Sequence, residues 1–175
     1  FGIDHEQMLE AAERTRRYPS LKLCGLAVHI GSQLFDLGIY RAAFTVVAGY
    51  VAELRAAGFD LTRLDLGGGM GVPYHDETPF DAEGFADVVR DTVGNLGCAL
   101  SFEPGRYIVA DAGVLLSRVL HVKEGVTHRF LVVDAAMTDL IRPALYQAYH
   151  GIKPVKEAPP LAELVKADVV GPVCE

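Results

Sequence analysis

The chain reads as an α/β protein in which a parallel sheet is interleaved with helices and followed by a β-rich stretch. Three observations predict this. Short apolar runs, LKLCGLAVHI, TRLDL and CALSF, alternate with segments of helical periodicity. Each run ends in a loop loaded with glycine and polar groups, HIGSQ, DLGGGMG and EPGR in turn. From about residue 112 the alternation stops, and strand-like runs follow one another without a helix between them.

The elements follow in order. Asp4 with Gln7 has the form of a capping box and predicts a helix over about 5–17, with Pro19 beyond its end. LKLCGLAVHI predicts a buried strand ending at His29. Leu37, Tyr40, Phe44, Val47, Val51 and Leu54 step by threes and fours, which predicts one apolar helical stripe with Gly58 placed to end it. TRLDL is the second strand, and the proline-bearing VPYHDETPF is a loop. Asp81 is placed to cap a further helix with Phe85, Val88, Val89 and Leu96 facing inward. CALSF is the third strand. GVLLSRVLHVKEG and HRFLVVDAA predict a hairpin turning at Thr127 and His128, MTDLIRPALYQAYH and ADVVGPVCE follow, and KPVKEAPPLAEL is a proline-broken loop.

Buried strands alternating with amphipathic helices fit an open sheet or a barrel. Active sites of barrels gather at the carboxyl ends of the strands, where all three loaded tips lie. Three repeats are too few to close a barrel. The chain is therefore expected to hold part of a (β/α)8 TIM barrel over residues 1–111 and part of a C-terminal β-rich domain over 112–175. Phe1 is not an initiator methionine and no polar tail follows GPVCE, which adds to the expectation of a fragment.

Composition narrows the function. The chain has 175 residues, enough for one sizeable core, and a formal net charge of −7 without a clustered basic stripe. That argues against a nucleic-acid partner. No run is expected to approach the length of a membrane span, and FGIDHEQ lacks the basic head and apolar stretch of a signal peptide. Cys24, Cys98 and Cys174 are odd in number and widely spaced, so neither a disulfide framework nor a zinc pattern is expected, and a cytoplasmic setting fits.

The tips carry the candidate chemistry. Gly67, Gly68 and Gly69 let a backbone approach a ligand closely and point several N–H groups at one anion, with phosphate the usual guest; a tight strand-to-loop turn is the competing reading. Neither the Rossmann nor the Walker spacing is present. His29 suits stacking on a flat ring, metal binding or proton transfer, or else a hydrogen-bonded place at the rim. Ser32 suits a phosphate, or a cap on the next segment. Glu103 and Arg106 are either a mutual ion pair or, parted by the kink of Pro104 and Gly105, two ligands. In the second case the carboxylate suits a protonated heterocyclic nitrogen and the guanidinium a phosphate or carboxylate. His29, Asp65, His75, Asp76 and Glu103 lack a recognised metal-ligand spacing, so no metal is expected.

Taken together, HIGSQ, DLGGGMG, EPGR, DAAMTDLIRPALYQAYH and GPVCE resemble the diaminopimelate decarboxylase family, the fold-type III, pyridoxal-phosphate-dependent enzymes of the alanine-racemase-like barrel. The first three motifs are shared with ornithine and arginine decarboxylases; MTDLIRPALY and the CE ending are more specific to the diaminopimelate branch. The resemblance implies roles. Glu103 matches the carboxylate that keeps the pyridine nitrogen protonated, making the ring an electron sink. His29 matches the imidazole stacked on the ring. Gly67, Gly68 and Gly69 match the phosphate cradle, with Ser32 and the backbone of Glu103, Pro104, Gly105 and Arg106 contributing. Arg106, Arg142 and Tyr146 match substrate ligands, an arginine fork fitting a carboxylate. Cys174 matches the proton donor after decarboxylation and Glu175 a ligand of the distal ammonium, both entering from the partner subunit of a homodimer.

The implied reaction is decarboxylation of meso-2,6-diaminopimelate to L-lysine. The family's Schiff-base lysine lies upstream of the region matching Phe1, and Lys22, Lys123, Lys153, Lys156 and Lys166 do not stand at a loaded tip, so this chain alone is expected to be inactive. Two alternatives remain at this level. One is a related decarboxylase acting on ornithine, arginine, a carboxy-polyamine or a carrier-bound amino acid. The other is a non-catalytic barrel homologue.

Overall fold

The computed structural model describes residues 2–156, 159 and 165–173. They divide into two compact units, Phe1–Val72 with Thr78–Ala110 and Pro73–Glu77 with Asp111–Glu175.

The first unit contains α1 (Met8–Thr15), β1 (Gly25–Ala27), α2 (Leu37–Ala56), β2 (Arg63–Asp65), α3 (Ala82–Thr92), β3 (Ala99–Ser101) and the short α4 (Arg106–Val109). The strands form one parallel sheet in the order β1-β2-β3. Its register sets Leu26, Leu64 and Leu100 in one row and Ala27, Asp65 and Ser101 in the next. Because side chains alternate between faces, the leucine row joins the hydrophobic core and the small and polar row lies on the other face.

α2 carries the expected stripe, with Tyr40, Phe44, Val47, Val51 and Leu54 buried and Leu37 packed at its edge. The Asp36 carboxylate caps its start by accepting from the N–H of Gly38 at 2.7 Å. It ends in a paired C-terminal motif: Phe59 N–H reaches Leu54 C=O at 3.0 Å and Gly58 N–H reaches Arg55 C=O at 2.9 Å, with Gly58 at φ +84°. α3 is capped by Asp81, which accepts from Gly84 N–H at 2.9 Å, and buries Phe85, Val88 and Val89, while Leu96 packs at the core edge. The rings of Tyr40, Phe44, Phe80 and Phe85 meet at centroid distances of 5.1–6.0 Å and lock α2 to α3.

Three expectations need correction. The capping box at Asp4 does not form: its side chain makes no cap bond, and Gln7 N–H closes a 3-10 turn on the Asp4 carbonyl at 2.9 Å before α1 begins. The first strand is three residues long, not ten. β1 has one ladder neighbour, and beyond Gly25–Ala27 its pairing is continued by single bonds, Thr62 and Arg63 N–H to Cys24 C=O and Val28 N–H to Asp65 C=O. A membrane-length apolar run does exist, since α2 spans 20 residues and is apolar enough, by length and composition only, to cross a membrane. Its length and composition come from a core stripe plus small residues such as Ala42, Ala43, Ala48 and Gly49, and the stripe is packed inside the first unit.

The second unit holds β4 (Val119–Glu124), β5 (Arg129–Val133), α5 (Arg142–Tyr146) and β6 (Asp168–Val170). β4 and β5 are the expected hairpin, its turn closed by Gly125 N–H to His128 C=O at 2.8 Å. β6 adds to β5 in parallel, with Leu131 opposite Val169. At the open end of the hairpin the Asp134 carboxylate accepts from Arg118 N–H and Ser117 Oγ, both at 2.8 Å. Those donors, the Arg118 amide first, hold its carboxyl below the usual carboxylate range. Most of the expected KPVKEAPPLAEL loop lies outside the described residues.

Candidate functional site

The tips of β1, β2 and β3 are joined backbone to backbone. Glu103 N–H donates to Gly67 C=O at 2.7 Å, and Leu34 N–H donates to Gly69 C=O at 2.9 Å. Tyr40, whose phenol is pushed up by burial, reaches Gly68 C=O with its hydroxyl at 3.4 Å. Every carbonyl of the glycine run thus has a donor. On the other side, Gly67 N–H goes to Asp65 Oδ1 at 2.9 Å, while among the described residues the N–H groups of Gly68 and Gly69 meet no acceptor.

Close approach explains why these are glycines. A Cβ on Gly67 would stand 2.3 Å from the Val28 carbonyl oxygen, on Gly68 1.9 Å from that of Glu103, and on Gly69 2.3 Å from that of Gly31. Gly67 and Gly69 also have φ of +67° and +90°. Both readings of the run therefore find a physical basis. It is the tight junction of three strand ends, and it leaves two adjacent N–H groups for an anion.

Glu103 and Arg106 do not pair with each other. Gly105 turns the chain at φ +43° between them. Among the described residues the exposed Glu103 carboxylate has neither an ion pair nor a hydrogen-bond donor. Arg106 turns to the β1 tip instead, donating to Ser32 Oγ and to Gln33 Oε1, each at 3.1 Å. Ser32 keeps its own proton for another acceptor. Arg106 keeps further N–H donors, since a guanidinium carries five. His29 is exposed at the end of the first run, and its ring makes no hydrogen bond among the described residues.

Gln33 is the residue that sequence reasoning passed over. Its amide donates to Val72 C=O at 2.5 Å, accepts from Val72 N–H at 3.1 Å, and holds Arg106 as well. It does this from φ +64°, a left-handed conformation uncommon outside glycine. The one available signal was its place at the end of HIGSQ. Gln33→Ala is expected to lower stability by about 2 kcal/mol, because Val72 is buried and both its backbone groups lose their partners. Gln33→Gly should lose less, by ~1 kcal/mol, since glycine relieves the positive φ. Urea unfolding of the two variants side by side checks both values.

In the second unit, the expected substrate residues lie on α5. The Arg142 guanidinium carbon is 5.6 Å from the Tyr146 ring centroid and 5.8 Å from that of Tyr74. Arg142 Nε is buried and has no hydrogen-bond partner, and Arg142 has no carboxylate partner among the described residues. Cys174 and Glu175 lie outside the described residues. Lys22 is paired with Asp60 at 3.8 Å, at the end of β1 away from the glycine loop.

A parallel strand-helix sheet whose carboxyl tips gather an anion-ready glycine run, an open carboxylate and a free imidazole is suited to a phosphorylated heterocyclic cofactor. Residues 1–110 match the pyridoxal binding domain of the pyridoxal-dependent decarboxylases, and the chain belongs to that family. Within it the similarity is to diaminopimelate decarboxylases. The enzyme of Zymomonas mobilis is 47% identical over 177 residues, covering 100% of this chain and 41% of the relative. That of Aquifex aeolicus is 39% identical, again over 100% of this chain and 41% of the relative. The crystal structure of diaminopimelate decarboxylase from Helicobacter pylori complexed with L-lysine matches with a TM-score of 0.91 and 38% identity, covering 100% of this chain and 43% of that one. The chain therefore spans about two-fifths of the length of these relatives. A lysine/ornithine decarboxylase from Vibrio vulnificus, at 24% identity and a TM-score of 0.87, shares the fold.

Proposed function

We propose that the full-length protein containing this chain decarboxylates meso-2,6-diaminopimelate to L-lysine, with pyridoxal phosphate as cofactor, in the cytoplasm and as a homodimer. The observation that carries the substrate is Arg142, a cation within about 6 Å of two tyrosine rings and with no carboxylate partner among the described residues. A substrate ending in an amine alone has no use for it, whereas diaminopimelate brings a distal carboxylate.

The residues present fit the cofactor. Bound at the strand tips, pyridoxal phosphate would supply a protonated ring that takes up the electrons released with CO2. Gly68 and Gly69 offer their N–H groups to its phosphate, and Ser32 offers its hydroxyl. Glu103 would hold a proton at its ring nitrogen by charge, and His29 would contact the ring. Arg106, held by Gln33 and Ser32, directs its remaining donors to an anionic group of the substrate or cofactor. Arg142 and Tyr146 hold the distal end of the substrate. Cys174, from the partner subunit, would supply the proton that replaces CO2, and Glu175 would bind the distal ammonium. The nucleophilic lysine comes from outside this chain, because Lys22, the first unit's lone lysine, lies at the wrong end of its strand.

The test is to mix the full-length protein with pyridoxal phosphate and meso-diaminopimelate and to assay CO2 and lysine. Release of both in equal amounts is expected, with none from the present chain alone. Cofactor uptake without lysine would move the assignment to another amino-acid substrate. Failure to take up the cofactor, read from its visible absorbance, would favour the non-catalytic homologue.

A further inference from the structure

We infer that Tyr74 is a positioning residue for Arg142, and that the loop Pro73–Glu77 exists in its observed shape to place that ring. The inference rests on the substrate reading above.

Arg142 and Tyr146 are four residues apart on one short helix, so their contact is local. Tyr74 comes from the loop after the glycine run, far earlier in the chain, and brings its ring within the roughly 6 Å at which a cation and a ring attract. Two rings then cover the guanidinium, and Nε is already out of contact with solvent. A guanidinium covered in this way keeps its donors along the edge of its plane. A carboxylate is the planar, bidentate anion that fits such an edge.

The loop is built to hold the ring still. The Glu77 carboxylate accepts from Tyr74 N–H at 3.0 Å and from His75 N–H at 2.8 Å. The His75 amide is the leading cause of a carboxyl held below the usual range, which keeps this clasp ionised. The loop is matched ring by ring to the segment after α5. Tyr74 lies 5.3 Å from His150 and His75 lies 4.8 Å from Tyr149, centroid to centroid. The Tyr74 hydroxyl makes no hydrogen bond among the described residues, so it is the ring that does the positioning.

Fixing an arginine before the ligand arrives lowers the ordering cost of binding. In the full-length protein, Tyr74→Leu is therefore expected to raise KM for meso-diaminopimelate about tenfold with kcat within about twofold. Tyr74→Phe should keep the wild-type KM. By calorimetry, Tyr74→Leu should weaken L-lysine about as much and leave cadaverine unchanged, because lysine retains the carboxylate that Arg142 holds and cadaverine lacks it. A wild-type KM and lysine affinity in Tyr74→Leu would overturn the inference. So would equal losses for lysine and cadaverine, or a phenylalanine variant as impaired as the leucine one. If the wild-type protein turned over no diaminopimelate, the substrate reading would fail by itself. Tyr74 would then be judged on the Nε–H NMR signal of Arg142. Loss of its ring-current shift in Tyr74→Leu supports the positioning role, and an unmoved signal overturns it.

Discussion

Gly68→Ala is expected to prevent stable folding of the first unit. The added methyl would stand 1.9 Å from the carbonyl oxygen of Glu103, 2.7 Å from its carbonyl carbon and 3.4 Å from Cα of Pro104. All three are backbone atoms, so no side chain can swing away to make room. Relief requires the β2 and β3 tips to part, and that breaks the Glu103 N–H to Gly67 C=O bond and displaces the Gly68 carbonyl from Tyr40. Overpacking of a well-packed core, where side chains and backbone can shift, costs about 1–3 kcal/mol, and a backbone clash at this distance exceeds that range. A control keeps the result interpretable. Gly49 has nothing within 4 Å of an added Cβ and lies inside α2, so Gly49→Ala should stabilise by roughly 0.5–1 kcal/mol. Thermal denaturation of the two full-length variants should therefore move in opposite directions. A Gly68→Ala protein with wild-type stability would show that the three strand ends are not joined as described.

In the full-length protein, and on the proposed function, Arg142→Ala should remove most diaminopimelate turnover. A desolvated, charge-assisted pair of hydrogen bonds to a carboxylate is worth about 2–5 kcal/mol when one partner is deleted. That corresponds to a fall of roughly thirty- to several-thousand-fold in kcat/KM. Arg142→Lys should recover little, because an ammonium retains the charge but lacks the planar fork that matches a carboxylate. Cofactor absorbance should be unchanged in both variants, since the residues assigned to the cofactor are on other elements. If Arg142→Ala retained full activity on diaminopimelate, the distal carboxylate would have to be held elsewhere. If it retained activity only on ornithine or arginine, the related-decarboxylase reading would replace the present one.

Much of the scaffold can be read from spacing alone. The stripe from Tyr40 to Leu54 is buried as its steps of three and four require, and Gly58 and Asp81 end or begin helices through their own local chemistry. The parallel order of β1, β2 and β3 follows from strand-helix alternation. Local chemistry misleads where two local solutions compete, as at Asp4, whose carbonyl closes a turn in place of its carboxylate. It also overstates β1, because an apolar run by itself secures neither burial nor pairing: none of residues 21–30 is fully buried, and three of them pair as a strand. Gln33 and Tyr74 escape sequence reasoning for a different reason. One serves Val72 and Arg106, the other Arg142, and each depends on a loop backbone bringing together residues distant in the chain. Polarity marks such residues as candidates, but only the fold supplies their partners.

The five residues Pro73–Glu77 group with the second unit, although Val72 before them and Thr78 after them belong to the first. The boundary between the units is therefore crossed three times along the chain, and no single cut yields either of them whole. A gene divided at residue 111 would give one product with an orphaned aromatic loop and another lacking Tyr74, His75 and Glu77. Recombining either half with a homologue would thus have to exchange this loop together with the RPALYQAYH segment. The seam for grafting a new substrate preference onto this scaffold is discontinuous, made of two short stretches that travel as a pair.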